Sequence, residues 1–292
     1  MGARGRGDLK LKKGKLLALP TVAWLLIFFL VPLVFVLGFA FMQRGAYGTV
    51  EMQFTLDNIV RVFDPLYMGT LWETVKIAVI TTVLCLLIGY PFAYTITIVD
   101  RKYRSILLLL ATIPFWINFL VRSYAWIVIL RSQGLVNTLL LKLGIISEPL
   151  NLLYNTPSVI LGMVYSLLPF MILPVYAAIE QLDKRKLEAA YDLGATPVKA
   201  FWNVTVPMTM SGIATGSILV FVSSIGMFVV SDVMGGSKVA LIGNVIQNQF
   251  LGARDWPFGS ALSMIVVLFS VLLIYLYYRA TKVYKYDGNG GE

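Results

Sequence analysis

Glu180-Gln-Leu-Asp-Lys-Arg-Lys-Leu-Glu-Ala-Ala-Tyr-Asp-Leu-Gly-Ala-Thr-Pro-Val-Lys-Ala-Phe-Trp-Asn-Val-Thr-Val-Pro207 is the most polar long stretch in a chain that is otherwise strongly apolar. Leu182, Leu187, Ala190 and Leu193 recur at the spacing of one helix face. Gly194 follows them as a C-terminal cap glycine would. Thr196-Pro197 then has the form of an N-cap and first helical residue, leading into Phe201, Val204 and Val206 before Pro207. The spacing predicts two short helices joined by a tight turn. Taken alone, it fits an amphipathic connector lying at a membrane surface.

Long apolar blocks flank this connector on both sides. A spanning helix needs roughly 20 largely apolar residues to cross a hydrocarbon core of about 30 Å. Six blocks meet that need, at about 16–42, 71–98, 106–130, 157–179, 212–233 and 259–278. They are too long for membrane strands and show no period-two alternation. The expected fold is therefore an all-α membrane protein with six transmembrane helices. The first block has no charge between Lys15 and Arg44, longer than a signal peptide's apolar centre, and reads as an uncleaved span with a kink at Pro32. Residues 1–15 are then a basic N-terminal segment, 16–285 the membrane domain and 286–292 a short tail.

The whole composition agrees. Of 292 residues, 58% are hydrophobic and 13% charged, and the mean hydropathy is +0.80, whereas a soluble domain is about a quarter charged. There is no histidine, which excludes His-ligated metal and His general-base chemistry. The single cysteine, Cys85, excludes an intrachain disulfide and reads as buried filler. The net charge of +9 does not point to nucleic acid, because the basic residues crowd the ends of the apolar blocks. With the N-terminus placed in the cytoplasm, the inner segments hold sixteen Lys and Arg and the outer segments six, with Lys76 and Arg122 inside helices. The positive-inside rule thus puts both termini and residues 182–207 in the cytoplasm. The basic N-terminal segment also suits anionic membrane lipid.

Glu188-Ala189-Ala190, Leu193-Gly194-Ala195, then Phe201, Val204, Pro207 and Ser211-Gly212-Ile213 resemble the EAA loop of ABC importer permeases. Two further stretches resemble the spermidine/putrescine (PotB-type) family of these permeases. One is Pro114-Phe-Trp-Ile-Asn-Phe-Leu-Val-Arg-Ser-Tyr-Ala-Trp126 with Gly134-Leu-Val-Asn137. The other is Ser231-Asp-Val-Met-Gly-Gly236 with Ile242–Phe250 and Arg254-Asp-Trp-Pro-Phe-Gly259. The resemblance covers about residues 16–285. It implies a type I ABC importer permease bundle in a bacterial inner membrane, with a cytoplasmic coupling loop at about 182–207. Glu188, Ala189, Ala190, Leu193, Gly194, Ala195 and Pro207 would couple it to an ATPase. It also implies a PotC-like second permease, a PotA-like ATPase dimer and a PotD-like extracytoplasmic polyamine-binding protein. ATP and Mg would be bound by the ATPase partners and no cofactor by this chain. The sequence has no GxxxxGK[ST] phosphate loop, so nucleotide binding by that route falls to a partner.

Residues able to meet a cationic solute are few. Acids at helix depth are costly and usually face a cavity or a partner. Asp232, at the outer end of the fifth block, and Glu73, at the outer end of the second, are the candidates; Lys76 sits three residues from Glu73 as a helix-face partner. Aromatic faces hold ammonium groups, which adds Trp116, Tyr165 and Tyr124. Tyr124 and Trp126 also fit an interfacial aromatic belt. Arg122 would repel a cation and is expected to snorkel toward the outer headgroups, away from the path. An importer of another small solute, a six-span channel or a secondary carrier are the alternatives. The spans show no clear buried acid pair or charge ladder for the last two.

Overall fold

The computed structural model describes residues 20–287. The basic N-terminal segment and residues 288–292 of the tail lie outside the described residues. In chain order the main elements are α1 (Pro20–Ala40), strands β1 (Met42–Arg44) and β2 (Val50–Phe54), α2 (Asp57–Val62) and α3 (Pro65–Ile98). They continue with α4 (Arg101–Trp116), α5 (Phe119–Leu130), α6 (Leu135–Lys142), α7 (Thr156–Glu180) and α8 (Lys184–Asp192). The last are α9 (Pro197–Met208), α10 (Met210–Gly226), α11 (Ile242–Leu251) and α12 (Trp256–Asp287).

Five helical segments are long and apolar enough to cross a membrane: Pro20–Ala40, Pro65–Ile98, Phe119–Lys142, Thr156–Glu180 and Trp256–Arg279. A sixth is added if α9 and α10, bent by 64°, count as one span. The architecture is thus the expected helical membrane bundle, with three boundaries corrected. The block at 106–130 is not one helix. Asn118 ends it and starts another, its side chain accepting from the Leu120 amide at 2.9 Å, so that α4 is a separate 16-residue helix. The fifth block stops at Gly226, with Met227 out of helical geometry at φ −86°, ψ 80°. The second begins at Pro65, so Glu73 lies inside α3 rather than at its end. The expected kink at Pro32 takes the form of a π-helical stretch, Leu26–Leu30, just before it. A proline ring clashes with the carbonyl four residues back, and the wider turn makes room for it.

The described chain divides into two compact units, residues 20–64 with 246–268 and residues 65–245 with 269–287. In the second unit α3, α7 and α10 pack together around Cys85, Ala93, Leu167, Met171, Val175 and Val220. Cys85 is fully buried, as expected of filler. Lipid tails are as apolar as leucine, so close van der Waals contact and not the hydrophobic effect must join such helices. Small residues supply it. A Cβ on Gly212 would stand 2.5 Å from the Ala178 Cβ and 2.6 Å from the Pro174 oxygen. A second cluster, Ile77, Leu130, Val159, Met163 and Met234, fills the other end. There Asn137, fully buried, accepts from the Leu150 amide at 2.8 Å and donates to the Leu150 oxygen at 2.9 Å.

The first unit holds a two-stranded antiparallel hairpin, β1 with β2, a departure from the purely helical expectation. Asn58 on α2 donates to the Ala40 and Met42 oxygens at 3.2 and 2.8 Å, joining the end of α1 to the hairpin.

Two outcomes are expected. Gly212→Ala forces α7 and α10 apart and lowers the melting temperature in detergent, by about 1–3 kcal/mol of stability. Asn137→Ala leaves the Leu150 amide without its acceptor, at about 1–3 kcal/mol, while the Leu150 oxygen keeps only the Leu152 amide at 3.1 Å. Limited proteolysis should then cut the 143–155 connection faster than in the wild type.

Candidate functional site: the α8–α9 helix pair and the spans it joins

The polar stretch at 180–207 folds as two helices set on a capped turn. Asp183 caps α8 by accepting from the Arg185 amide at 3.0 Å. At its other end the Ala195 amide donates to the Ala190 oxygen and the Gly194 amide to the Tyr191 oxygen, both at 2.9 Å. This pair of bonds is the Schellman closure, which needs a left-handed residue at the turn. Gly194 provides it at φ +81°. A Cβ there would meet nothing within 4 Å, so the backbone angle alone requires glycine. Thr196 starts α9, its hydroxyl accepting from the Lys199 amide at 3.4 Å, with Pro197 at the first helical position.

One side of the pair is anchored. Ala200 and Thr205 are buried. The Phe201 ring meets the rings of Tyr90 and Tyr94 edge-on at 5.7 and 5.4 Å. Tyr90 also shares a 3.0 Å hydrogen bond with Thr209, at the bend between α9 and α10. Pro207 lies just before that bend, behind a π-helical stretch at Phe201–Thr205. At the base, Arg104 of α4 pairs with Glu180 of α7 at 3.8 Å.

The other side is open. Leu193 is 90% exposed, Val198 67% and Trp202 63%, beside exposed Glu188 and Ala189. Leu193 therefore departs from the predicted face. Leu182, Leu187 and Ala190 turn partly inward, but Leu193 is the cap residue and swings outward. Trp202 and Val198 were not singled out in the sequence. Their only signal is that each stands two residues from buried Ala200, on the far side of a helix from it. The arrangement is an apolar ridge with a carboxylate at its edge, rigidly rooted in the bundle.

The residues proposed to meet a cation are not brought together. Glu73 pairs with Lys76 at 2.7 Å, as the spacing predicts. Asp232 lies on a π-helical turn and is hydrogen-bonded by the Asn244 amide. Trp116 is 81% and Tyr124 58% exposed on the outer surface of α4 and α5. Tyr165 meets Trp126 edge-on at 5.6 Å, and its face is approached by the protein's own cation, Arg122, at 5.6 Å. Arg122 is the clearest correction. It does not snorkel. It is buried, and its Nη1 donates to the Pro114 oxygen at 2.6 Å across the break between α4 and α5. A cleft of about 260 Å³ between α3, α10 and α12 is lined by Val83, Phe221, Ile274 and Tyr277, with no carboxylate to hold a polycation. No group of three or more metal-ligating side chains occurs among the described residues.

Comparison with known proteins agrees with this geometry. Residues 85–284 match the family described as binding-protein-dependent transport system inner membrane component. The chain is 46% identical over 261 residues to the spermidine/putrescine transport system permease protein PotB of Haemophilus influenzae, covering 89% of this chain and 91% of that one. It is 44% identical over 262 residues to PotB of Escherichia coli K12, covering 90% and 95%. Among solved structures, a bacterial ABC transporter involved in import of the acidic polysaccharide alginate superposes with a TM-score of 0.74 at 18% identity, over 96% of this chain and 99% of that one. That likeness bears on the fold, a type I ABC importer permease bundle. The protein is a multi-pass inner-membrane permease subunit and not the ATP-hydrolysing one. The chain belongs to the family of binding-protein-dependent transport system inner membrane components and, within it, to the PotB-type permeases.

Proposed function

We propose that this chain is the permease subunit through which an ATP-driven importer moves spermidine and putrescine into the cytoplasm. The relatives that are 44–46% identical over about nine-tenths of the chain carry the substrate class. A PotC-like permease would complete the pathway, a PotD-like protein would deliver the polyamine from outside, and a PotA-like ATPase dimer would bind ATP and Mg. Both termini and the α8–α9 pair lie in the cytoplasm on this reading, as the sixteen-to-six distribution of basic residues favours. Residues 1–15, 16–285 and 286–292 then act as topology signal, permease domain and tail.

The observation that carries the mechanism is the two-sided character of α8–α9. Leu193, Val198 and Trp202 stand exposed while Phe201 and Thr205 are locked into α3 and the α9–α10 bend. A groove on the ATPase that takes the exposed ridge would grip a body that cannot slip against the spans. Glu188 would pair with a basic residue of the groove, and Ala189, Ala190 and Ala195 would allow close approach. Closure of the ATPase dimer would then tilt α10 and α3 together through Pro207 and Thr209, a shift between two discrete arrangements. For the substrate path, Asp232 is exposed but shares one carboxylate oxygen with Asn244, and Tyr165 would meet a cation only by exchanging the Arg122 guanidinium now over its face. Trp116, Tyr124 and Glu73 are surface groups that would require the second permease to bring them into it.

The test is uptake of labelled spermidine by the complete transporter in proteoliposomes. Gly194→Val places a branched residue at φ +81°, at a cost of about 1–2 kcal/mol, and reopens the turn. Combined with Glu188→Ala it should lower uptake and substrate-stimulated ATP hydrolysis at least tenfold. Trp202→Ala should loosen the ATPase, seen as its loss on gel filtration. Uptake that persists with the ATPase omitted, or normal accumulation in the double variant, overturns the mechanism.

A further inference from the structure

The β1–β2 hairpin carries at its tip a side chain with no task inside the molecule. Tyr47 is 100% exposed. Its backbone lies in the left-handed region at φ 58°, ψ 22°, where glycine or asparagine is easier to place than a bulky aromatic residue. A tyrosine kept in strained backbone, touching nothing, points to a contact made with something else.

The rest of the tip is held firmly. Gly48, at φ +79°, lies so close to the 252–255 turn that a Cβ would stand 2.8 Å from the Arg254 Cβ. Arg44 donates to the Ala253 oxygen at 2.6 Å. Arg44 and Arg61 both converge on one Asp255 oxygen, at 3.7 and 3.0 Å. The other Asp255 oxygen accepts from the Phe258 amide at 3.2 Å. The Thr49 hydroxyl closes the turn on the Ala46 oxygen at 2.8 Å. An aromatic side chain held out by a preorganised loop loses little freedom on binding, which is the property of an interface anchor.

The surroundings state the partner's charge. Arg44 and Arg61 are about half exposed and Arg254 is exposed, while the carboxylate they share, Asp255, is buried. The one acid in the hairpin, Glu51, turns toward Gly45. An acidic face complements this rim. α1, at 21 residues, is about 31 Å long and fills the hydrocarbon core. The hairpin follows α1 directly, and a five-residue strand is about 16 Å long, against a headgroup layer of about 5–8 Å.

We propose that Tyr47 is the anchor on which the soluble substrate-binding protein docks, entering an apolar socket bordered by carboxylates. This rests on the importer reading above, which sets the hairpin on the external side. The experiment measures association of the organism's spermidine-loaded binding protein with the complete transporter in nanodiscs. Tyr47→Gly removes the ring and relieves the backbone together, so a structural role would leave binding intact. The anchor predicts at least tenfold weaker association and faster dissociation, with an unchanged or higher melting temperature and near-complete rescue in Tyr47→Phe. Wild-type association should weaken as salt rises. If the wild type binds and Tyr47→Gly binds equally well, the anchor falls and the importer reading stands. If the wild type ignores the loaded binding protein, both fall. A Tyr47→Trp variant whose fluorescence is quenched by brominated lipid without the binding protein places the tip in the bilayer and overturns the inference.

Discussion

Hydrocarbon offers no hydrogen bonds, so each place where a spanning helix breaks must be repaired by the protein itself. That constraint accounts for polar residues placed at the breaks of this chain. Asn118 and Arg122 repair the break between α4 and α5, one satisfying the Leu120 amide and the other the Pro114 carbonyl. Asn244 repairs the break after Gly226 by donating to the Phe228 oxygen at 3.1 Å. Thr74 accepts from the Ile242 amide at 2.9 Å, where α11 begins. Thr209 bonds back to the Thr205 oxygen at 2.8 Å at the 64° bend. Each repair ties one element to another, so the broken helices remain one connected body.

The same connectedness supports the coupling role proposed for the α8–α9 pair. A surface connector held only by backbone would absorb a push from a partner. This one is seated through Phe201 on two tyrosines of α3, and Tyr90 reaches the bend through Thr209. Displacement at Leu193 therefore has a packed route to α3 and α10. Gly212 and the other close approaches between α7 and α10 keep that route stiff, because helices in contact through backbone have no flexible side chains between them.

Arg122 shows how a local rule can be right in general and wrong in place. A long cationic side chain near a membrane edge ordinarily snorkels. Here the adjacent break leaves a carbonyl without its helical partner, and the Phe119 and Tyr165 rings present their faces at 5.5 and 5.6 Å. Those contacts keep the guanidinium inside. They also mean that Tyr165, read from sequence as an aromatic face for a cation, already has one beside it.

The sequence by itself determined what depends on neighbours a few residues apart. The apolar blocks, the Thr196 cap, the cap glycine Gly194 and the Glu73–Lys76 pair all rest on short-range spacing, and these the fold retains, apart from the block boundaries. Only the tertiary structure decided where the third and fifth spans break, which way Leu193 and Trp202 face, and that Arg44 and Arg61 meet at Asp255. Arg61 and Asp255 are nearly two hundred residues apart, and no periodicity links them. Their meeting is set by how the hairpin and the 252–255 turn fold together, which is a property of the packed chain and not of any local stretch.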